Sequence, residues 1–230
     1  MSGWYLSFDC ATKTFAYSIC RIDLDIEKRS GLWSKANALA ELLRRPVEIT
    51  TELVDAVLKL DVESKQLVQI VHGNTVDLCE GRADSEISTI ERIRAVVAYV
   101  TDTVRPALKR VGVSAYHVII EYQMGQNTRA RAVATALVTL FATEDIIIVG
   151  PSLKNKIATC EAGRYCYFAE KYKTTYCANK AHSAFNLAQL ESTFGTSIPY
   201  MSPVSKRGHI ADSVMQIIGH LVHGSNSMQF

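Results

Sequence analysis

The chain has 230 residues, 48% of them hydrophobic and 21% charged, with a formal net charge of +2. That balance suits a globular chain rather than a disordered one, and no apolar run reaches the roughly 18–20 residues that a bilayer span needs. The near-neutral charge decides little about partners.

Residues 3–9 alternate, with Trp4, Leu6 and Phe8 on one side and Tyr5, Ser7 and Asp9 on the other, which predicts a strand. Phe15 to Ile22 reads as its hairpin partner across the polar turn Ala11-Thr12-Lys13-Thr14. The charged stretch Asp23 to Ser64 has helical periodicity around Ala36 to Leu43 and Thr51 to Leu60, separated by Pro46. It predicts a helical insertion at about residues 25–64. A third strand is expected within Leu67 to Leu78. Ser85 to Val111 reads as a long helix, with Ile87, Ile90, Ile93, Val97 and Val100 at helical spacing and Pro106 set to kink or end it. Tyr116 to Glu121 is a fourth strand. In the helix Thr128 to Phe141, Ala130, Ala132, Ala134 and Ala136 permit close packing. Ile146 to Val149 suits a buried parallel strand, stopped by Gly150-Pro151. A helix from about Asn179 to Phe194, a loop with Pro199 and Pro203, and a last helix from near Ser205 or Gly208 to about His223 complete the chain. Three strands followed by alternating helix and strand is an α/β order, here in one domain spanning residues 1–230.

The N-terminal residues carry no basic leader or cleavage signal, so an intracellular protein is the expectation. The six cysteines, Cys10, Cys20, Cys79, Cys160, Cys166 and Cys177, include no CxxC, which favours reduced thiols.

Asp9 and Glu121 each end an apolar strand, and acids there are costly unless something positive holds them. In open α/β sheets, sites gather at the carboxyl ends of strands, so both acids are expected at one edge. His209 and Asp212 are three residues apart in the first turns of the last helix and share a face, which Gln216, His220 and His223 continue. Ile210, Val214, Ile217 and Leu221 form the opposing apolar stripe. Carboxylates converging at one edge suit magnesium or manganese, hard cations that prefer oxygen. Two such ions, about 3.5–4 Å apart, activate water and stabilise the leaving oxygen of a phosphodiester. Taken singly, Asp9 fits a turn hydrogen bond, Glu121 a lysine partner, and His209 with Asp212 a solvated first turn. Their joint order and placement favour the site.

From Lys154 to Lys180 the basic residues Lys154, Lys156, Arg164, Lys171, Lys173 and Lys180 face only Glu161 and Glu170, with Tyr165, Tyr167, Phe168, Tyr172 and Tyr176 interleaved. That mixture suits a phosphate-contacting surface with platforms for base stacking, or a solvated loop anchored by aromatics. Arg129 and Arg131 are candidate backbone contacts or ordinary surface arginines.

These residues carry a resemblance. The sequence resembles the RuvC-like Holliday junction resolvases, most closely the branch of poxviruses and other large DNA viruses. The matching segments run from Phe8-Asp9-Cys10 to Ser18-Ile19, from Val118-Ile119-Ile120-Glu121 to Gln123, and from His209-Ile210-Ala211 to Asp212-Ser213. Gly150-Pro151-Ser152-Leu153-Lys154 and Asn179-Lys180-Ala181 also fit, and only about residues 25–64 stand apart. The resemblance implies an RNase H-like fold with a mixed central sheet of about five strands flanked by helices. It also implies a homodimer, and metal-dependent paired nicks across four-way DNA junctions and other branched DNA. Carried over, Asp9, Glu121 and Asp212 would be metal ligands for Mg2+ or Mn2+, with two ions expected. His209 would join them at a position where many relatives have aspartate. Lys180 would lie near the scissile phosphate, and Lys154 and Lys156 would contact phosphates. A viral member would work in the host cytoplasm or nucleus.

Two other classes compete. An actin-like or sugar-kinase ATPase also starts with a strand-one aspartate, but Asp9-Cys10-Ala11-Thr12 lacks the glycines of a phosphate loop. A non-catalytic branched-DNA-binding protein would keep the fold without needing the acids. Cys160, Cys166, Cys177 and His182 match no strong zinc spacing.

Overall fold

In the computed structural model of the chain, the described residues are 2–23, 68–122, 127–157, 161–194 and 207–223. The expected insertion at 25–64 and most of the loop before the last helix lie outside them. Strands β1 (Ser2–Cys10) and β2 (Thr14–Asp23) form the expected antiparallel hairpin. Strand β3 (Val68–Asp77) pairs antiparallel with β2, and β4 (His117–Glu121) pairs parallel with β1. Strand β5 (Asp145–Val149) adds parallel to β4, giving the order β3-β2-β1-β4-β5. Only β2 runs against the rest. This is the mixed, helix-flanked sheet of five strands expected of an RNase H-like fold.

Alternation along β1 divides two cores. Leu6, Phe8 and Cys10 enter the larger one, and Tyr5 enters the other with Ala16 and Cys20 of β2. Against the larger core pack α1 (Thr89–Tyr99), α2 (Arg105–Val111) and α3 (Thr128–Leu140), through Val96, Ala107, Leu108, Val133, Ala134 and Leu137. Helix α1 starts later than Ser85 because Ser88 caps it. The Ser88 hydroxyl accepts from the Glu91 amide at 3.2 Å, and the Glu91 carboxylate accepts from the Ser88 amide at 2.8 Å. The buried stripe also differs from the expected one: Ile90 is 63% exposed, while Arg92 is fully buried. Its two terminal guanidinium nitrogens are held there by the Thr12, Asp84 and Ile87 carbonyls, the Cys79 sulfur and the Asp84 carboxylate. It ties the turn after Asp9 to the loop before α1. Pro106 does not end the helix. A π turn at Val100–Val104 precedes it and carries the chain into α2.

Strand β5 is the sheet edge, so Ile146, Ile147 and Ile148 are only half-buried, and Val149 alone is fully covered. Beyond it the chain turns through a short 3-10 helix, Leu153–Lys156. Helix α4 (Tyr165–Lys171) follows inside the basic stretch. Helix α5 (Thr175–Phe194) begins four residues before the expected Asn179, because the Thr174 hydroxyl accepts from the Cys177 amide at 3.2 Å. Helix α6 (Arg207–His223) lies across β1 and β2 and brings Ile210, Ala211, Val214 and Ile217 into the second core. No helix among the described residues is long and apolar enough to cross a membrane.

Candidate active site

Register explains how two acids more than a hundred residues apart meet. Phe8 of β1 pairs with Ile120 of β4, so the next residue of each parallel strand, Asp9 and Glu121, falls side by side on the same face. That face looks onto α6. There the expected split between a polar and an apolar side gives way to burial all round, because every residue from His209 to Ile217 is buried. Polar residues of α6 therefore meet the strand ends inside the protein, not in solvent. His220, farther along the helix, is half-buried.

Asp9, Glu121 and Asp212 are 3%, 1% and 1% exposed. Two lysines hold them. The Lys154 ammonium, 5% exposed as a side chain, donates to Glu121 Oε2 at 2.9 Å and lies 3.1 Å from Asp212 Oδ2. The Lys180 ammonium, from α5, donates to Asp9 Oδ2 at 2.9 Å, makes a short contact with Asp212 Oδ2, and lies 2.8 Å from His209 Nδ1. His209 Nδ1 is also 2.8 Å from Asp9 Oδ2. One nitrogen cannot serve both at once. Bearing its proton it donates to Asp9; without it, the lone pair accepts from Lys180.

The electrostatics follow from burial opposed by pairing. Burial raises the Asp9 pKa, but Lys180, His209 and Lys154 outweigh it and hold the carboxyl far below its usual range. For Glu121, burial wins and the pKa is raised despite Lys154. Burial lowers both lysines, yet the surrounding carboxylates more than restore them, so each ammonium stays charged. Formally, three carboxylates against two ammonium groups leave one negative charge in the cluster.

Among the described residues, no three His, Cys, Asp or Glu side chains are set to hold a metal ion as they stand. The donors converge instead on the Lys180 ammonium. Their chemistry still fits a hard cation: carboxylate oxygens with one imidazole. Asp212 Oδ1, though buried, has no hydrogen-bond partner and is an unused acceptor in the cluster.

The basic candidates separate. Lys156, Lys171 and Lys173 are exposed, and Lys180 stands half-buried at the cluster's rim. Lys154, expected among the phosphate contacts, is instead buried beneath the acids. Arg129 is tied to Asp84, donating to its carboxylate at 2.8 Å and its carbonyl at 3.0 Å, and Arg131 is half-buried. Cys166 and Cys177 are exposed while His182 is buried between Tyr165 and Phe168, and Cys160 lies outside the described residues.

Gln216 was not anticipated as part of the cluster. Its side-chain oxygen accepts from Ser7 Oγ at 3.0 Å, and its amide nitrogen makes a short bond to Glu121 Oε2. Two signals pointed to it: Gln216 is four residues beyond Asp212 on one helix face, and Ser7 shares the strand face of Asp9.

No family model matches the chain, and no curated protein matches it. Among solved structures, the chain is similar to RuvC of Thermus thermophilus, at 11% identity over 99% of each chain with a TM-score of 0.47. It is similar also to T. thermophilus RuvC in complex with Holliday junction substrate, at 11% identity over 98% of each chain with a TM-score of 0.46.

Proposed function

We propose that this chain is a metal-dependent, structure-selective DNA endonuclease that resolves four-way junctions by paired phosphodiester hydrolysis. The observation that carries this is the meeting of Asp9, Glu121, His209 and Asp212, from β1, β4 and α6, in one buried acidic cluster. Burying three carboxylates together is costly for a protein that does not use them. The resemblance of the same residues to the RuvC-like motifs supports the choice of substrate.

Asp9, Glu121, His209 and Asp212 provide the donor set for magnesium or manganese. Such an ion, when bound, activates a water and stabilises the leaving oxygen. The chain's own residues do the rest. Lys154 neutralises the acids from below and fixes Glu121 and Asp212 in place. Lys180 brings a positive charge to the rim, where a scissile phosphate would lie. Exposed Lys156, Lys171 and Lys173 hold the flanking backbone, and a second copy of the chain provides the opposite nick.

The test is cleavage of a mobile four-way junction in magnesium or manganese. Expected are symmetric nicks in the wild type, and a loss of at least about a hundredfold in Asp9→Asn with junction binding kept. Full activity in Asp9→Asn would show that the site is wrong. Equal cleavage of linear duplex would remove the selectivity.

A further inference from the structure

The aromatic residues of the basic stretch fall into two groups. Tyr165 and Phe168 of α4 turn toward α5. Their rings stand edge-on to buried His182 at 5.4 and 5.5 Å, and Phe168 meets Phe185 at 5.7 Å. These contacts anchor α4 to α5. The rings of Tyr172 and Tyr176 make none of them and are 36% and 63% exposed. With Tyr167 they are three of the four large apolar side chains exposed among the described residues, the fourth being Ile90. Single exposed rings are ordinary, but their concentration in one segment marks a contact surface.

Each of the two tyrosines stands beside a lysine. The Lys171 ammonium lies 5.9 Å from the centre of the Tyr172 ring, and the Lys180 ammonium lies 5.9 Å from the centre of the Tyr176 ring. That is near the outer limit of a cation–ring contact, so the ammonium groups flank the rings without covering them. A ring face beside an ammonium offers a nucleotide both of its handles, a stacking partner for the base and a charge for the phosphate. Every residue from Ala169 to Cys177 is exposed, Lys173 among them, and Glu170 is the single acid in that run.

Position supplies the rest. Tyr176 and Lys180 are one helical turn apart on α5, and the same Lys180 ammonium is 2.9 Å from Asp9 Oδ2. The Tyr176 ring therefore borders the acidic cluster. Tyr172 closes α4 four residues earlier, so the two α-carbons are at most about 13–14 Å apart. A strand with a phosphate at the acids can reach both rings. Bases inside a duplex are already stacked on both sides and cannot take up a ring face, whereas unpaired bases can.

We propose that the corner between α4 and α5 is a track for an unpaired DNA strand leaving the site. The base beside the scissile phosphate stacks on Tyr176 and a later base on Tyr172, while Lys171 and Lys173 hold the phosphates along the way. This rests on the nuclease function proposed above and adds a source of its selectivity, the recognition of unpaired bases next to the cut.

The experiment is binding of the full chain, without divalent ions, to a fluorescent oligothymidylate of about ten nucleotides, to an abasic strand of equal length and to a duplex of equal length. Fluorescence anisotropy reads the affinity, and each variant is checked by thermal melting. The wild type is expected to bind the thymidylate at least about tenfold more tightly than the abasic strand, which has the phosphates but no bases. Tyr176→Ala cuts that preference by about fivefold or more and leaves duplex binding unchanged. Tyr176→Leu, which keeps bulk without an aromatic face, behaves alike and stands in if the alanine variant does not fold; Tyr176→Phe keeps the preference. Lys171→Ala and Lys173→Ala weaken thymidylate and abasic strand equally, each lowering the salt slope by about 0.7. Equal affinity for thymidylate and abasic strand would overturn the proposal. So would a Tyr176→Leu variant with the wild-type preference, equal damage to duplex binding, or no binding to any of the three. The two proposals fail separately: junction cleavage without a preference for bases removes only the track, and a base-dependent track on a chain that cuts no junction removes only the nuclease function.

Discussion

Replacing Lys154 by methionine keeps most of its volume and removes its charge. The ammonium stands 2.9 Å from Glu121 and 3.1 Å from Asp212. At an effective dielectric near 20, each contact is worth about 5–6 kcal/mol of gross attraction. Desolvation of the ammonium, recovered in the variant, returns much of that. Removing one partner of a buried pair nets a loss of about 3–5 kcal/mol. Urea unfolding at pH 7 should register that loss as a lower midpoint at unchanged slope. The loss should also depend on pH. Lys154 restrains the pKa of Glu121, which burial already raises above the usual 4.5. Without Lys154 it climbs further, so the folded variant takes up a proton at a higher pH than the unfolded chain does. The deficit is therefore full above that raised pKa and shrinks as pH falls through it. Adding Glu121→Gln to Lys154→Met should restore more than half of the loss, because Asp212 keeps Lys180. A loss below about 1 kcal/mol, or strictly additive effects in the double variant, would refute the reasoning.

His182 is fully buried, and burial lowers its pKa below the usual 6.5 although the Ile157 and Gly163 backbone beside it opposes the shift. Its contribution is present above that value and lost as pH falls toward the depressed folded pKa, so stability should drop on acidification below about pH 6.5. His182→Leu should flatten that part of the stability profile, read by urea unfolding across the pH range. Gln216→Leu leaves Ser7 and one bond of Glu121 unmet; chemical denaturation should show a loss of about 1–3 kcal/mol, and junction cleavage should fall with it. At Gly163, an added methyl would collide with the Asn186 side-chain oxygen, whose amide nitrogen donates to the Gly163 carbonyl at 3.0 Å. Gly163→Ala should lower stability by about 1–3 kcal/mol in a thermal or urea melt.

Much of the frame was legible because its signals are local. Alternation in residues 3–9 and the acid at each strand end located Asp9 and Glu121 on one edge, and three-residue spacing put His209 beside Asp212. What escaped was set by tertiary context. Periodicity could not show that β5 is an edge strand, nor that Arg92 would be buried, with its terminal nitrogens on backbone carbonyls, ahead of Ile90. It could not tell Lys154 from its basic neighbours either. That lysine is buried because the turn after Gly150-Pro151 folds back beneath α6, a contact between segments distant in sequence. Gln216 carried a readable signal in its spacing, but its partners Ser7 and Glu121 become evident only once the helix lies on the sheet.

The separations within the cluster also set an order of assembly. Glu121 and Lys154 are 33 residues apart, whereas Asp9 and Lys180 are 171 apart. Closing the longer loop costs about 1.5 kcal/mol more chain entropy. The β4–β5 unit can thus neutralise its own acid before β1 docks beside it, sparing the chain an encounter between two bare carboxylates. A delay in closing that short segment would slow pairing of the central strands, and with it the folding of the whole sheet.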